Sequence, residues 1–336
     1  WIMYIMKQLR SIGLLSCVAV VLSVTVSCGD SSSSSVVEQS RVQVSFNVDS
    51  AYKYVEDQVA FGPRVPGSEA HLRCLNYYMA AFARYGIQAY VQEGEMIKWD
   101  NKPIVVKNVI AKIHPEKVNR VLLCAHWDSR PWADNDSDVS RRGEPIDGAN
   151  DGASGVGVLM EVARQLSIKK PTVGVDIVFF DVEDMGTPDH ITVDFYRPDT
   201  WCLGSQMWAK SDEAAKCNAR WGILLDMVGA PNATFCRELY SQNIARNVND
   251  KVWKEASILG YGTYFVNDNG GYITDDHYYV NNIAKIPCID IIQYDGATGT
   301  GFGGYWHTHD DTMKNIDKKT LRAVGETVLS VVMNEK

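Results

Sequence analysis

Seven residues carry side chains able to hold a metal or move a proton: His126, Asp128, Asp151, Glu183, Asp184, Asp226 and His307. Zinc takes imidazole nitrogen and carboxylate oxygen at about 2 Å, and a catalytic zinc keeps three protein ligands and one open position. Glu183 and Asp184 are adjacent carboxylates just past an apolar run. Like charges that close, in a low-dielectric cleft, are unfavourable unless a cation or a proton separates them. A bound zinc resolves the conflict: one carboxylate coordinates, and the other stays free, with a raised pKa suited to shuttling a proton. Asp151 lies in the loop Gly148-Ala149-Asn150-Asp151-Gly152-Ala153-Ser154-Gly155. Small residues there let the backbone approach an ion closely. The same segment also reads as a helix entry, with Asn150 or Asp151 as cap. His307 lies in Tyr305-Trp306-His307-Thr308-His309-Asp310-Asp311-Thr312. An extended segment would put both histidines on one face, whereas a loop separates them, so only one need reach the metal. Asp310 or Asp311 is placed to orient a ring from behind. Trp306, beside the Gly-rich loop Gly299 to Gly304, reads either as a pocket wall or as a core aromatic.

These residues need a scaffold. Short apolar runs rich in β-branched residues predict strands at Ile104–Ile113, Val121–Ala125, Val175–Phe180, Gly222–Leu225, Thr263–Val266 and Ile286–Ile292. Amphipathic patterns predict helices at Ala70–Tyr85, Gly155–Leu166, Leu203–Lys210, Ala245–Leu259 and Lys318–Val332. The alternation predicts a single α/β domain whose mixed, mostly parallel central β-sheet is flanked by helices. In such sheets ligands bind outside the carboxyl ends of the strands. His126 and Asp128, then Asp181, Glu183 and Asp184, then Asp226, each follow a predicted strand, and His307 follows the last one after the Gly-rich loop.

The 336 residues are 46% hydrophobic and 22% charged, with a formal net charge of -8. That is ordinary globular composition, and no basic stripe suggests nucleic acid as a partner. The first 35 residues differ. Lys7 and Arg10 precede an apolar run, Ile12 to Val26, and then Ser27-Cys28-Gly29. That order reads as a secretory signal over 1–27, starting from Met6, with a lipoprotein-type cleavage that leaves Cys28 lipidated. Residues 28–42, with serines at 31–35, read as a tether, and 43–336 as the catalytic domain. The expected location is the periplasm, anchored by lipid to a bacterial membrane, the outer one by preference. Six cysteines follow Cys28 without any CxxC pair, so no metal cluster is expected from them. Cys124 and Cys288 sit in apolar strand patterns and read as buried thiols.

Phe61-Gly62-Pro63-Arg64-Val65-Pro66-Gly67-Ser68, His126-Trp127-Asp128-Ser129-Arg130, the Gly148–Gly155 loop, Glu183-Asp184 and Trp306-His307-Thr308 occur in this order. Together they resemble the zinc aminopeptidase superfamily that also contains animal-type glutaminyl cyclases, over about Gln43 to Val332. Leu225-Asp226-Met227-Val228-Gly229-Ala230-Pro231-Asn232 and Asp275-Asp276-His277 are similar to the cyclase loops, and Ser129-Arg130-Pro131-Trp132-Ala133-Asp134 to their bacterial branch. The resemblance implies one zinc per chain on Asp151, Asp184 and His307, proton transfer by Glu183, an acidic relay of Asp226 and Asp275, and Trp306 as pocket wall. The animal enzymes have Glu where this chain has the shorter Asp184. The implied activity is glutaminyl-peptide cyclotransfer, in which the amino-terminal Gln of peptides and proteins closes to pyroglutamate with release of ammonia. An aminopeptidase is the alternative: His126 and Asp226 would hold a second zinc, with Asp151 bridging. An inactive peptide-binding lipoprotein is a third. Asp128 stands with His126 as a candidate for the second metal or for support of the first. Oligomeric state is not indicated.

Overall fold

A computed structural model describes residues 41–192 and 197–336. The signal, Cys28 and most of the tether lie outside the described residues. In chain order the elements are α1 (Val48–Val59), α2 (Glu69–Arg84), β1 (Gln88–Ile97), β2 (Pro103–Ile113), β3 (Arg120–His126), α3 (Ala153–Ile168), β4 (Gly174–Phe180), α4 (Leu203–Ala209), α5 (Asp212–Cys217), β5 (Gly222–Asp226), β6 (Phe235–Arg237), α6 (Leu239–Ile244), α7 (Arg246–Ile258), β7 (Phe265–Asn269), α8 (Asp276–Tyr279), β8 (Cys288–Ile292) and α9 (Lys318–Met333).

Six strands form one sheet in the order β1-β2-β4-β3-β5-β8. Strands β4, β3, β5 and β8 run parallel, and β1 and β2 add an antiparallel pair at one edge. The four parallel strands are buried along their whole length. Their high Val, Ile, Leu and Phe content follows, because both faces are covered; Arg120, Asp176 and Asp290 are buried exceptions. Side chains alternate between faces with period two. Val121, Leu123, Ala125, Ile177, Phe179, Ile223, Leu225, Ile289 and Ile291 join the larger core with helices α1, α3 and α9. Leu122, Cys124, Val178, Phe180, Leu224 and Cys288 join a second core with Trp208 of α4.

The expected α/β class and mixed, mostly parallel sheet are therefore present. One predicted strand is displaced: the run at 263–266 becomes β7 from Phe265, paired with β6 in a separate two-stranded sheet. Strand β1 and helix α1 lie outside the predicted elements. β1 is half-solvated, with Gln92, Glu93 and Glu95 interrupting its apolar residues. Helix α1 is begun by Asn47, whose side chain accepts from the Asp49 and Ser50 amides, satisfying two of the amides that a helix start leaves open.

Candidate active site

The carboxyl ends of β3, β4 and β5 deliver His126, Glu183-Asp184 and Asp226 to one side of the sheet. The turns are sharp there. Val182 just after β4 has φ 56° and Met227 just after β5 has φ 47°; His307 itself has φ 53°. Positive φ is costly for any side chain and most of all for a β-branched one such as Val182. Such strain is kept where the surrounding structure over-determines it, and it concentrates at functional sites.

Asp151, Asp184 and His307 converge, with one ligand atom of each within 4.8 Å of the others. His307 Nε2 lies 3.1 Å from Asp184 Oδ1 and 3.4 Å from Asp151 Oδ2. All three residues are buried, and Asp184 Oδ2 has no hydrogen-bond partner. The nearest fixed cation is Arg130, whose Nη1 is 3.9 Å from Asp184 Oδ1. Two buried carboxylates, one orphaned oxygen and a nitrogen facing both are a donor set that fits a divalent cation such as zinc. Burial alone would push the His307 imidazole down, but Asp184 and Asp151 outweigh it and raise it to about 9. Burial likewise opposes ionisation of Asp151, yet its bonds to His126 and His307 hold it below the usual carboxylate range.

A metal must therefore displace a proton from His307 at any pH below about 9. The sign is fixed. Metal affinity rises with pH up to that value, by about tenfold per unit when one proton is released. Zinc competition against a chelator over pH 6–9 checks this; a flat profile would contradict it.

The supporting shell explains the other motifs. Asp311 accepts hydrogen bonds from the Asn150 and Asp151 amides at 2.8 and 3.0 Å and so fixes the Asp151 loop. Neither Asp310 nor Asp311 is bonded to the His307 ring; Asp311 acts instead on the Asp151 loop. His309 turns away to Asp136, 2.6 Å from its Nδ1. Neither Asn150 nor Asp151 caps α3: the cap position is Gly152, with φ 95°. A Cβ on Gly152 would sit 2.6 Å from the Asp128 carbonyl, so the small residue there lets the loop approach protein backbone. Arg64 of the 61–68 motif donates to the carbonyls of Trp127, Asp147 and Gly148, tying that loop to β3. Arg130 donates to the Asp184 carbonyl at 2.9 Å and pairs with Asp134. Asp128 accepts from the Glu183 and Asp184 amides at 3.1 and 3.2 Å, so it positions the acidic pair. Asp181 is drawn elsewhere, to His71 at 2.8 Å. We expect Asp311→Ala to lower zinc affinity about 10–100-fold by releasing the Asp151 loop, measured by the same competition; unchanged affinity would remove Asp311 from the support.

Glu183 stays out of the Asp151–Asp184–His307 group. Burial, and next the Asp184 charge, lift its carboxyl far above the usual range. Asp275, the residue before α8, brings a carboxylate oxygen within 4.8 Å of the donor atoms of Glu183 and Cys202, and its Oδ2 is buried without a partner. Burial raises it too, and lifts Asp226 to about 7. His126 lies between two acids, its Nε2 3.0 Å from Asp151 Oδ1 and 3.1 Å from Asp226 Oδ1.

A cleft of about 540 Å³ opens onto this group, walled by Trp201, Tyr272, Tyr294, Phe302 and Trp306. Trp306 stacks on His307 at 3.8 Å between ring centroids and lines the cleft. Trp201 and Cys202 were not anticipated. They reach the site through a loop from the chain after Asp184, and no periodic pattern marks them. The six cysteines of the described residues are free thiols, with Cys124 and Cys288 buried as expected.

A family model described as peptidase family M28 matches residues 108–332. Glutaminyl cyclase from Tannerella forsythia is 55% identical, with a TM-score of 0.85 covering 87% of this chain and 100% of that one. A Zn-dependent exopeptidase from Parabacteroides distasonis is 51% identical, with a TM-score of 0.85 covering 88% of this chain and 100% of that one. Glutaminyl-peptide cyclotransferase from Bos taurus is 26% identical over 246 residues, 64% of this chain and 62% of the bovine one. The chain therefore spans less than two thirds of that relative.

Proposed function

The chain belongs to peptidase family M28, and from that premise we propose that it is a zinc-dependent glutaminyl-peptide cyclotransferase acting on peptides and proteins that begin with Gln. The observation that carries this reading is the third acid. Asp275 comes from a different loop to stand beside Glu183, with a buried, unpartnered oxygen. A cyclisation takes a proton from the substrate's own amine and hands one to departing ammonia, so acids that hold protons near neutral pH suit it.

Asp151, Asp184 and His307 would hold one zinc per chain, which when bound would supply Lewis-acid polarisation of the substrate's side-chain amide. Glu183 accepts a proton from the α-amine as that nitrogen attacks the amide carbon. It then returns the proton to the leaving nitrogen. Asp226 and Asp275, both raised by burial, keep that exchange within a short acidic relay. Trp201 and Trp306 wall the cleft, exclude water and hold the chain end for a five-membered closure.

A second reading is favoured by one observation: His126, Asp151 and Asp226 also converge within 4.8 Å. Two metals bridged by Asp151 would make an aminopeptidase, with Glu183 activating water. Incubation with a Gln-initiated peptide and with an amino acid anilide separates the two. Loss of one ammonia from the peptide supports the cyclase. Hydrolysis of the anilide alone would overturn it in favour of the peptidase; neither activity would leave an inactive binder.

We extend the proposal to location: an exported protein, lipidated at Cys28 and held on the periplasmic side of the outer membrane. Ser27-Cys28-Gly29 after the apolar run, followed by the serine tether, supports it. Metabolic labelling with a fatty acid tests it; label that persists in Cys28→Ala would contradict it.

A further inference from the structure

We propose that Cys202 is a positioning residue for Glu183, its thiol donating to one carboxylate oxygen and leaving the other to carry the proton. This rests on Glu183 as the proton carrier, a role shared by the cyclase and peptidase readings. Cys202 Sγ lies 3.2 Å from Glu183 Oε1, and the residue is fully buried. The two residues are also interlocked through the backbone. The Cys202 amide donates to the Glu183 carbonyl at 2.9 Å, and the Leu203 amide to the Val182 carbonyl at 3.0 Å. Val182 and Cys202 both sit in the left-handed region, at φ 56° and 55°. Two strained residues clasped together in this way hold Glu183 and Cys202 facing one another. Asp275 joins the same cluster, and its buried Oδ2 has no partner. Cys202 is the one donor among these three groups when the acids are ionised. Glu183 Oε2, the other oxygen, lies 4.0 Å from His126 Nδ1, and Glu183 is one of the residues that line the cleft.

The choice of sulfur has a chemical reason. A thiol is a weak donor. It fixes the carboxylate's rotamer while doing little to stabilise the anion, so Glu183 remains a competent base.

The test has two arms. In the first, Cys202→Ala lowers kcat about tenfold, the worth of one orienting hydrogen bond, with KM, zinc content and melting temperature little changed. Cys202→Ser, which keeps a donor, recovers most of the loss. Full kcat in Cys202→Ala, or a Ser variant no better than Ala, overturns the proposal. The second arm uses infrared spectroscopy of the substrate-free protein. Two thiols donate to carboxylates, Cys202 to Glu183 and Cys217 to Asp176, and of their lowered S–H stretching bands only that of Cys202 moves up in Glu183→Gln. A spectrum unchanged by Glu183→Gln also overturns the proposal. This arm needs no turnover and no Cys202 variant that folds, so it stands even if the assigned reaction fails.

Discussion

Glu183→Gln lowers kcat by about 10²–10⁴-fold, the range for loss of a positioned general acid–base group, while zinc content stays at the parent level. The two halves of this result have separate causes. Glu183 lies outside the Asp151–Asp184–His307 group, so its charge is not needed to hold the metal. It is a cleft-lining acid whose carboxyl is raised well above the usual carboxylate range by burial and the neighbouring Asp184 charge. Gln preserves its size and can still accept from Cys202, so the site keeps its shape and loses only the ability to take and return a proton. KM should move little, because binding through the cleft walls is intact. Steady-state kinetics with elemental analysis of the same preparation checks both halves. Full activity would remove Glu183 from the mechanism, and loss of zinc would make it a ligand.

Asp151→Asn produces a larger loss of a different kind: zinc falls below one per ten chains after dialysis, on the order of the affinity lost with a first ligand, and turnover disappears with it. Asp151 is the carboxylate shared by both imidazoles, 3.0 Å from His126 Nε2 and 3.4 Å from His307 Nε2. Its removal empties the single-metal site and, in the aminopeptidase reading, both sites at once. An amide of the same shape keeps the loop that Asp311 holds through the Asn150 and Asp151 amides, so the fold survives. Metal analysis beside circular dichroism reads this directly. A variant with normal zinc would show that Asp151 is not a ligand.

The candidate site is legible in the sequence largely because parallel strands announce themselves. Apart from Arg120 and Asp176, β3, β4 and β5 are apolar up to their carboxyl ends, so the polar residues there, His126, Asp181 to Asp184 and Asp226, mark the ligand-binding end of the sheet by position alone. Their grouping around a metal follows from that placement and from the residue types. The departures have equally local causes. β1 is an edge strand half open to solvent, so Gln92, Glu93 and Glu95 blur its alternation. The run at 263–266 is β-prone, but Phe265 to Asn269 pair with the short β6 outside the main sheet. Asp128 and Asp311 resemble ligands by type, yet they spend their oxygens on backbone amides, a distinction of reach that sequence does not carry. Asp184, despite its short side chain, meets His307 at 3.1 Å. Cys202 enters through a left-handed turn that no propensity marks.

The central claim is that the nucleophile comes from the substrate and not from water. The direct measurement is the mass of the products formed from a Gln-initiated peptide in water enriched in heavy oxygen. Closure by the α-amine predicts a full-length peptide lighter by one ammonia and carrying no heavy oxygen. Release of Gln, with solvent oxygen in its new carboxyl group, would contradict the account and make the protein a peptidase.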